Sequence, residues 1–477
     1  IRAIEILGSV ILFFCQNQKP MKNCLRALFL LLVFSVLAYT PVEDSLVETD
    51  CLELQETYFN YKNIQLPTYL NTPPLMNANN TPADNPITDS GATLGRVLFY
   101  DKKLSATNTQ ACADCHKQAY GFSDDSAFSR GFEGGFTGRN SMGLAHARYY
   151  EPEAFFWDER AATLEDQVLQ PIQDPVEMGL TLDELVQKLE TTEYYPPLFE
   201  DAFGTEEINT DRISKALAQF VRSMVSYQSK YDIGRAGTFP GPPGMQPFSN
   251  FTDSENLGKA IFFDPERGNC AVCHRTDAFI APEPRNNGLD LVYEDNGVGQ
   301  VTGTANQNGL FKVPSLRNIE LTFPSMHDGQ FESLEEVIEH YNDGVQAHPN
   351  LSPQLREAGP MSPPRKLNLT TEEKVALVDF LKTLTDYPFI TDERWSDPFC
   401  LNPVSVEDEN PDLTFNVFPN PAKEIVNLHV NSFDRPDYEL RLINQAGQIM
   451  ETFRLDKNNY QINVDPLPSG IYFLHLN

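Results

Sequence analysis

The chain has 477 residues and a formal net charge of −31, with 36 Lys and Arg against 67 Asp and Glu. That balance argues against a nucleic-acid ligand and against an anionic membrane surface, since both repel a strongly acidic protein. It suits a soluble protein whose protein partner, if it has one, is basic.

Residues 1–20 carry nothing of an export signal, and the pattern changes at Met21. Lys22 and Arg26 precede an apolar run from Ala27 to Ala38 that is too short to span a bilayer comfortably. The reading is a signal peptide over 21–40, cut near Thr40, behind an over-extended gene start at 1–20. An uncleaved anchor is the alternative. Export places the protein in the periplasm, on the outer cell surface or in the medium, with no membrane span in the mature form. An oxidising compartment permits Cys51 and Cys400 to pair.

An internal repeat comes next. Leu94-Gly-Arg-Val-Leu-Phe-Tyr-Asp101 precedes Cys112-Ala-Asp-Cys115-His116, and Leu257-Gly-Lys-Ala-Ile-Phe-Phe-Asp264 precedes Cys270-Ala-Val-Cys273-His274. Each copy reads as a short helix delivering the chain to a Cys-x-x-Cys-His run. That run suits covalent haem attachment: the two thiols form thioethers with the vinyl groups, and the next residue ligates iron. A redox dithiol or half a zinc site are the other readings. Neither explains the His that follows both copies, and no further Cys pair completes a four-ligand cage. Two c-type haems are therefore expected, in domains spanning 41–233 and 248–398. The Gly- and Pro-dense stretch 234–247 reads as the linker between them.

Helix starts are readable from capping boxes at Thr181 with Glu184, Thr252 with Glu255, Ser333 with Glu336 and Thr370 with Glu373. Asp211 is the candidate cap for a helix over Ile213–Ser226. Val375, Val378, Leu381 and Leu384 form an expected apolar stripe. After a second linker, 399–413, the period changes. Val426, Leu428 and Val430 alternate, as do Leu440 with Leu442 and Ile462 with Val464, with turn signals at Gln445-Ala-Gly447 and Pro468-Ser-Gly470. The expected fold is mainly α: two cytochrome c-like haem domains in tandem, then a small all-β, sandwich-like domain over 414–477.

Val417-Phe-Pro-Asn-Pro-Ala422 and the ending Gly470-Ile-Tyr-Phe473 resemble the C-terminal sorting domain of type IX secretion cargo. That resemblance implies the type IX machinery as a partner. An accessory β-sandwich with a binding role is the alternative.

Phe155-Phe-Trp157-Asp-Glu-Arg160, then Gln167, then Val176-Glu177-Met178, lie between the haem motifs. With those motifs, the region from about Leu94 to Leu384 resembles the bacterial dihaem cytochrome c peroxidases and the related MauG enzymes. The resemblance implies reduction of hydrogen peroxide to water at the first haem, with electrons entering through the second from a small donor such as cytochrome c. Glu177 would move the peroxide proton, Gln167 would orient peroxide, and Trp157 would stand between the haems. His116 and His274 would be the proximal iron ligands.

In members that rest inactive, a His on the loop before an Arg-Asn pair blocks the first iron. Here the loop Ser129–Asn140 has no His, and Phe132 stands about where the blocking ligand would be. An open first haem follows, with His146 as the other candidate ligand. Tyr341 stands where the peroxidases place Met and MauG places Tyr; a phenolate ligand stabilises oxidised iron. Met326 and Met361 are the alternatives, and His327 is expected to be structural. The family also binds Ca²⁺ between the haems, and Asn140, Thr322 and Pro324 match its protein ligands. Members are often homodimers. Two rival functions stay open: a MauG-like oxidase using a ferryl state on a protein or organic substrate, and a non-catalytic dihaem electron carrier.

Overall fold

The structure, a computed structural model, describes residues 52–359 and 361–399, together with six strands between 415 and 476. The main helices are, in chain order, α1 (Asp89–Tyr100), α2 (Leu164–Gln173), α3 (Leu182–Glu190), α4 (Tyr195–Phe203), α5 (Thr210–Ser223), α6 (Lys230–Thr238), α7 (Asp253–Phe263), α8 (Leu334–Glu339) and α9 (Thr371–Lys382). Before residue 400 the described extended backbone amounts to isolated bridges rather than a sheet.

The repeat forms α1 and α7, and its glycine has the same task in both. A Cβ on Gly95 would lie 2.0 Å from the Ala216 carbonyl oxygen of α5, and one on Gly258 would lie 1.8 Å from the Ala376 carbonyl oxygen of α9. Only a residue without a side chain lets these backbones approach so closely. Around the first crossing Leu94, Val97, Leu98 and Phe99 pack with Leu217, Phe220 and Val221; around the second, Ile261 and Phe262 pack with Leu377, Phe380 and Leu381. The chain then returns to the first cluster. Phe389 and Trp395 belong to it, and the Trp395 Nε1 donates to Ser223 Oγ at 3.1 Å.

Reciprocal capping boxes close α3, α7 and α9 as their spacing predicts. Other expectations need correction. The cap of α5 is Asn209, whose side chain accepts from Arg212 N, while Asp211 lies inside the first turn and pairs with Lys215. Ser333 caps α8, but Glu336 reaches back to Glu332 N, so that box is half formed. α6 occupies the first part of the expected linker, because Ser229 and Asp232 form a capping box there and Gly234 is needed where Phe248 packs. In α9 Val378 and Leu381 are buried but Val375 is exposed; Ala376, Leu377 and Phe380 supply the rest of the buried face.

The C-terminal part holds β1 (Phe415–Phe418), β2 (Ile425–Val430), β3 (Glu439–Asn444), β4 (Ile449–Arg454), β5 (Asn459–Asn463) and β6 (Tyr472–Leu476). They form two antiparallel three-stranded sheets, ordered β1-β2-β5 and β4-β3-β6. The expected turns at 445–447 and 468–470 lie outside the described residues, as do the signal peptide, Cys51 and Cys400. Among the described residues no helix is long and apolar enough to cross a membrane.

Filling either crossing should be costly. Gly258→Ala is expected to lower stability by roughly 1–3 kcal/mol through overpacking, and an unchanged melting temperature contradicts this assignment. Leu52 and Phe399 form an antiparallel bridge, with Glu53 N donating to Pro398 O at 2.8 Å. Cys51 and Cys400, the expected pair, adjoin these two residues in the sequence. Peptide mapping of the unreduced protein should then recover the two as a linked pair, and two alkylatable thiols would refute it.

Candidate functional site

The first Cys-x-x-Cys-His run forms one helical turn, Cys112–Cys115, which Asp114 closes by accepting Ala111 N at 2.7 Å. His116 follows, with Nδ1 2.9 Å from the Phe122 carbonyl oxygen. A proton on Nδ1 donated to that carbonyl leaves Nε2 as the ligand atom. Burial pushes the imidazole pKa down and keeps it neutral, as a metal ligand must be.

Cys112, Cys115 and His116 line a cavity of about 710 Å³ together with Trp157, Gln167 and Glu177. Gln167 lies on α2, which Thr163 caps, and its amide makes no hydrogen bond among the described residues. Glu177 sits in the turn after α2, where Asp174 Oδ1 accepts from Val176 N at 2.8 Å and Glu177 N at 3.2 Å. Burial first, then the neighbouring Asp174 charge, pushes the Glu177 carboxyl up to about 7, and Arg160 opposes the shift. The carboxyl is therefore poised to exchange a proton near neutral pH.

The loop Ser129–Asn140 brings no ligand to this cavity. Phe132 N donates to Glu177 O at 3.1 Å, and the Phe132 ring packs against Gly179, where a Cβ would meet it at 2.5 Å. His146 lines the cavity, but its Nε2 is 2.7 Å from the Ser226 carbonyl oxygen. One of its two nitrogens is thereby engaged.

The second run repeats the arrangement. His274 Nδ1 is 3.2 Å from the Phe279 carbonyl oxygen, and burial pushes the imidazole down to about 4. Cys270, Cys273 and His274 line a second, more apolar cavity with Tyr341, Met326 and His327. Tyr341 is carried not by an α-helix but by a π-helical turn, His340–Gly344, that continues α8. Burial pushes its phenol well above the usual range, with the nearby Cys273 adding to the shift. Met326 also borders this cavity, although its sulfur accepts from Asn287 Nδ2 at 3.3 Å. Met361 is 91% exposed and does not line it, which removes Met361 as a ligand candidate. His327 stacks on Phe311 at 3.8 Å, the packing role expected of it.

Trp157 and Asn140 border both cavities, and Trp157 Nε1 donates to Asn140 O at 2.8 Å. Thr322 and Pro324 line the second cavity beside Asn140. Asn140 Nδ2 faces the Ser126 and Ala127 carbonyls at 3.2 and 3.4 Å, which leaves its oxygen for another partner. Neutral oxygens of this kind suit a hard cation.

The four motif thiols are unpaired, and burial pushes Cys112 and Cys270 up to about 12. A redox dithiol needs a depressed pKa instead. Among the described residues no three His, Cys, Asp or Glu side chains group as a metal cage, so zinc is also a poor fit. Haem fits better: each site offers two thiols, an oriented imidazole and a cavity. In the second cavity Arg285 Nε and Gln354 Oε1 are buried without partners, polar atoms that a ligand bearing carboxylates and ordered water can satisfy.

The comparisons agree. The model of the di-haem cytochrome c peroxidase domain matches residues 89–238, and that of the secretion system C-terminal sorting domain matches 416–477. The methylamine utilization protein MauG of Methylophilus methylotrophus is 32% identical over 303 residues, 64% of this chain and 84% of that protein. The chain belongs to the dihaem cytochrome c peroxidase and MauG family. Cytochrome c551 peroxidase of Nitrosomonas europaea is 32% identical over 259 residues, 52% of this chain and 71% of that protein. A crystal structure of a MauG-like protein associated with microbial copper homeostasis superposes with a TM-score of 0.59 at 33% identity, covering 70% of this chain and 99% of that one. The family implies two haems, and the sorting domain implies export.

Sequence reasoning did not single out Arg285, Asn287 or Lys312, which line or support the cavities. Isolated polar residues of this kind carry no local signal, since their partners come from distant segments. Covalent attachment is open to direct test: a pyridine haemochrome assay should give two haems per chain, and Cys112→Ser with Cys115→Ser should leave one. Full haem content in that double variant, retained under denaturation, would contradict it.

Proposed function

We propose that this protein is an exported dihaem peroxidase that reduces hydrogen peroxide to water at the first site. Electrons enter from a small donor protein through the second. The observation that carries the reading is Glu177: a carboxyl poised near pH 7 in the same cavity as Cys112, Cys115 and His116. Haem, when bound, supplies the iron that takes peroxide and the electrons that reduce it.

The chain's own residues do the rest. Phe122 O holds His116 in the orientation that presents Nε2, and Gln167 orients peroxide through its free amide. As carboxylate, Glu177 takes a proton from one peroxide oxygen and returns it to the other, which leaves as water. Trp157, bordering both cavities and fixed by its bond to Asn140 O, is the aromatic stepping point for electrons between them. Asn140, Thr322 and Pro324 would hold Ca²⁺ at the junction, with waters completing the shell. The net charge of −31 favours a basic donor.

The second reading is an oxidase of MauG type, acting on a protein or organic substrate. Tyr341 in the second cavity favours it, as does the lack of a His on the Ser129–Asn140 loop. Turnover separates the two: a peroxidase consumes reduced cytochrome c with peroxide, whereas the oxidase does so poorly.

Glu177→Gln is expected to slow peroxide turnover by about 10²–10⁴-fold, the usual contribution of a positioned acid–base group. Because the carboxylate is the active form, the wild-type rate should rise with pH through about 7, and the variant should lose that limb. An undiminished rate in the variant would contradict the role given to Glu177, and an absence of peroxide turnover in the wild type would leave a mere electron carrier as the better description.

A further inference from the structure

Lys312 lies where the two cavities meet. It lines both of them, and its backbone N–H donates to the Trp157 carbonyl oxygen at 2.8 Å. The residue is only 7% exposed. Its Nζ lies 3.8 Å from the Tyr150 ring centroid and 4.8 Å from that of Phe155. Among the described residues this Nζ makes no hydrogen bond and no ion pair.

The arginines around it are differently placed. Arg139 pairs with Asp158 and Asp295, and Arg160 pairs with Asp158. Glu159 is the nearby acid, yet its carboxylate is taken by the Tyr150 hydroxyl. An ammonium withdrawn from water without a hydrogen-bonded anion is costly, and two aromatic faces and the Glu159 charge offset only part of that cost. Burial accordingly pushes Lys312 down to about 7 in the protein alone.

The neighbouring segment repeats the pattern. Arg285 and Phe311 exchange backbone hydrogen bonds of 2.8 and 2.9 Å, so Arg285 is bridged to the residue before Lys312. Its Nε is buried without a partner and the residue lines the second cavity. The Arg285 guanidinium pairs with Glu283 through its other end, so what this bridged pair leaves open is the Lys312 Nζ and the Arg285 Nε, beside a site whose ligand is anionic at its edge.

We propose that Lys312 is a carboxylate receptor, its ammonium taking a propionate group of a bound haem at the junction of the two sites. This rests on the dihaem reading above. It makes Lys312 a positioning residue: the same segment that holds the haem edge is tied to Trp157, so haem placement and the aromatic between the sites are set together.

The test uses the holoprotein, first assayed for two haems per chain. A shortfall there would refute the cofactor reading, and this proposal with it. With two haems present, resonance Raman of the propionate bending bands and spectroelectrochemical titration are compared for wild type, Lys312→Met and Lys312→Arg. Lys312→Met should shift one haem's propionate band to lower frequency and lower that haem's midpoint potential, because loss of a cation favours oxidised iron. Lys312→Arg should retain both values. Which haem responds identifies whose carboxylate is held. Unchanged bands and potentials in Lys312→Met overturn the proposal while leaving the haem reading intact. Should Lys312→Met fail to fold, Lys312→Gln serves in its place. Wild-type bands showing no hydrogen-bonded propionate on either haem overturn it without any variant.

Discussion

Everything in the two sites is arranged around a hydrogen bond from a ring nitrogen to a backbone carbonyl. His116 meets Phe122 O, and His274 meets Phe279 O. Each bond selects one tautomer and one ring orientation, so the remaining nitrogen is presented as a ligand. In both cases the carbonyl belongs to a residue with positive φ, Phe122 at 62° and Phe279 at 56°. A bulky side chain in that conformation is uncommon and marks a turn held by its surroundings. Phe122 and Phe279 are both fully buried, which anchors the turn and hence the carbonyl.

Two copies of this device need two copies of the scaffold that delivers it. The glycine crossings of α1 with α5 and of α7 with α9 are those scaffolds, and they explain why the repeat keeps Leu-Gly at its start and aromatic residues before its Asp. The sites nevertheless diverge where the chemistry does. The first has Glu177 and Gln167 in its cavity; the second has Tyr341, on a π-helical turn of the sort often found at functional sites. One cavity thus carries a carboxyl and an amide where the other carries a phenol. Trp157, Asn140 and Lys312 border both.

Much of this was legible in the sequence. Paired Cys-x-x-Cys-His runs, the repeat ahead of each and three reciprocal capping boxes are local patterns, and each holds in the structure. Alternation in the C-terminal segment likewise marked β2 and β3. What sequence misread were balances between local and tertiary terms. Asn209 rather than Asp211 caps α5 because the helix begins earlier than its apolar pattern. Gly234 looked like linker composition, yet it is the point where α6 makes room for Phe248. Lys312 carried no signal, since its meaning depends on two aromatic rings and two cavities brought together from distant segments.

The proposed reaction requires the first site to be open to peroxide as isolated, with no prior reduction. Stopped-flow absorbance with matched EPR on the diferric protein, before and after one equivalent of hydrogen peroxide, tests it most directly. An open first site gives a high-spin ferric signal that is lost rapidly on mixing. Two low-spin haems that ignore peroxide would contradict it, and would point to a sixth ligand such as His146 or to a protein that only carries electrons.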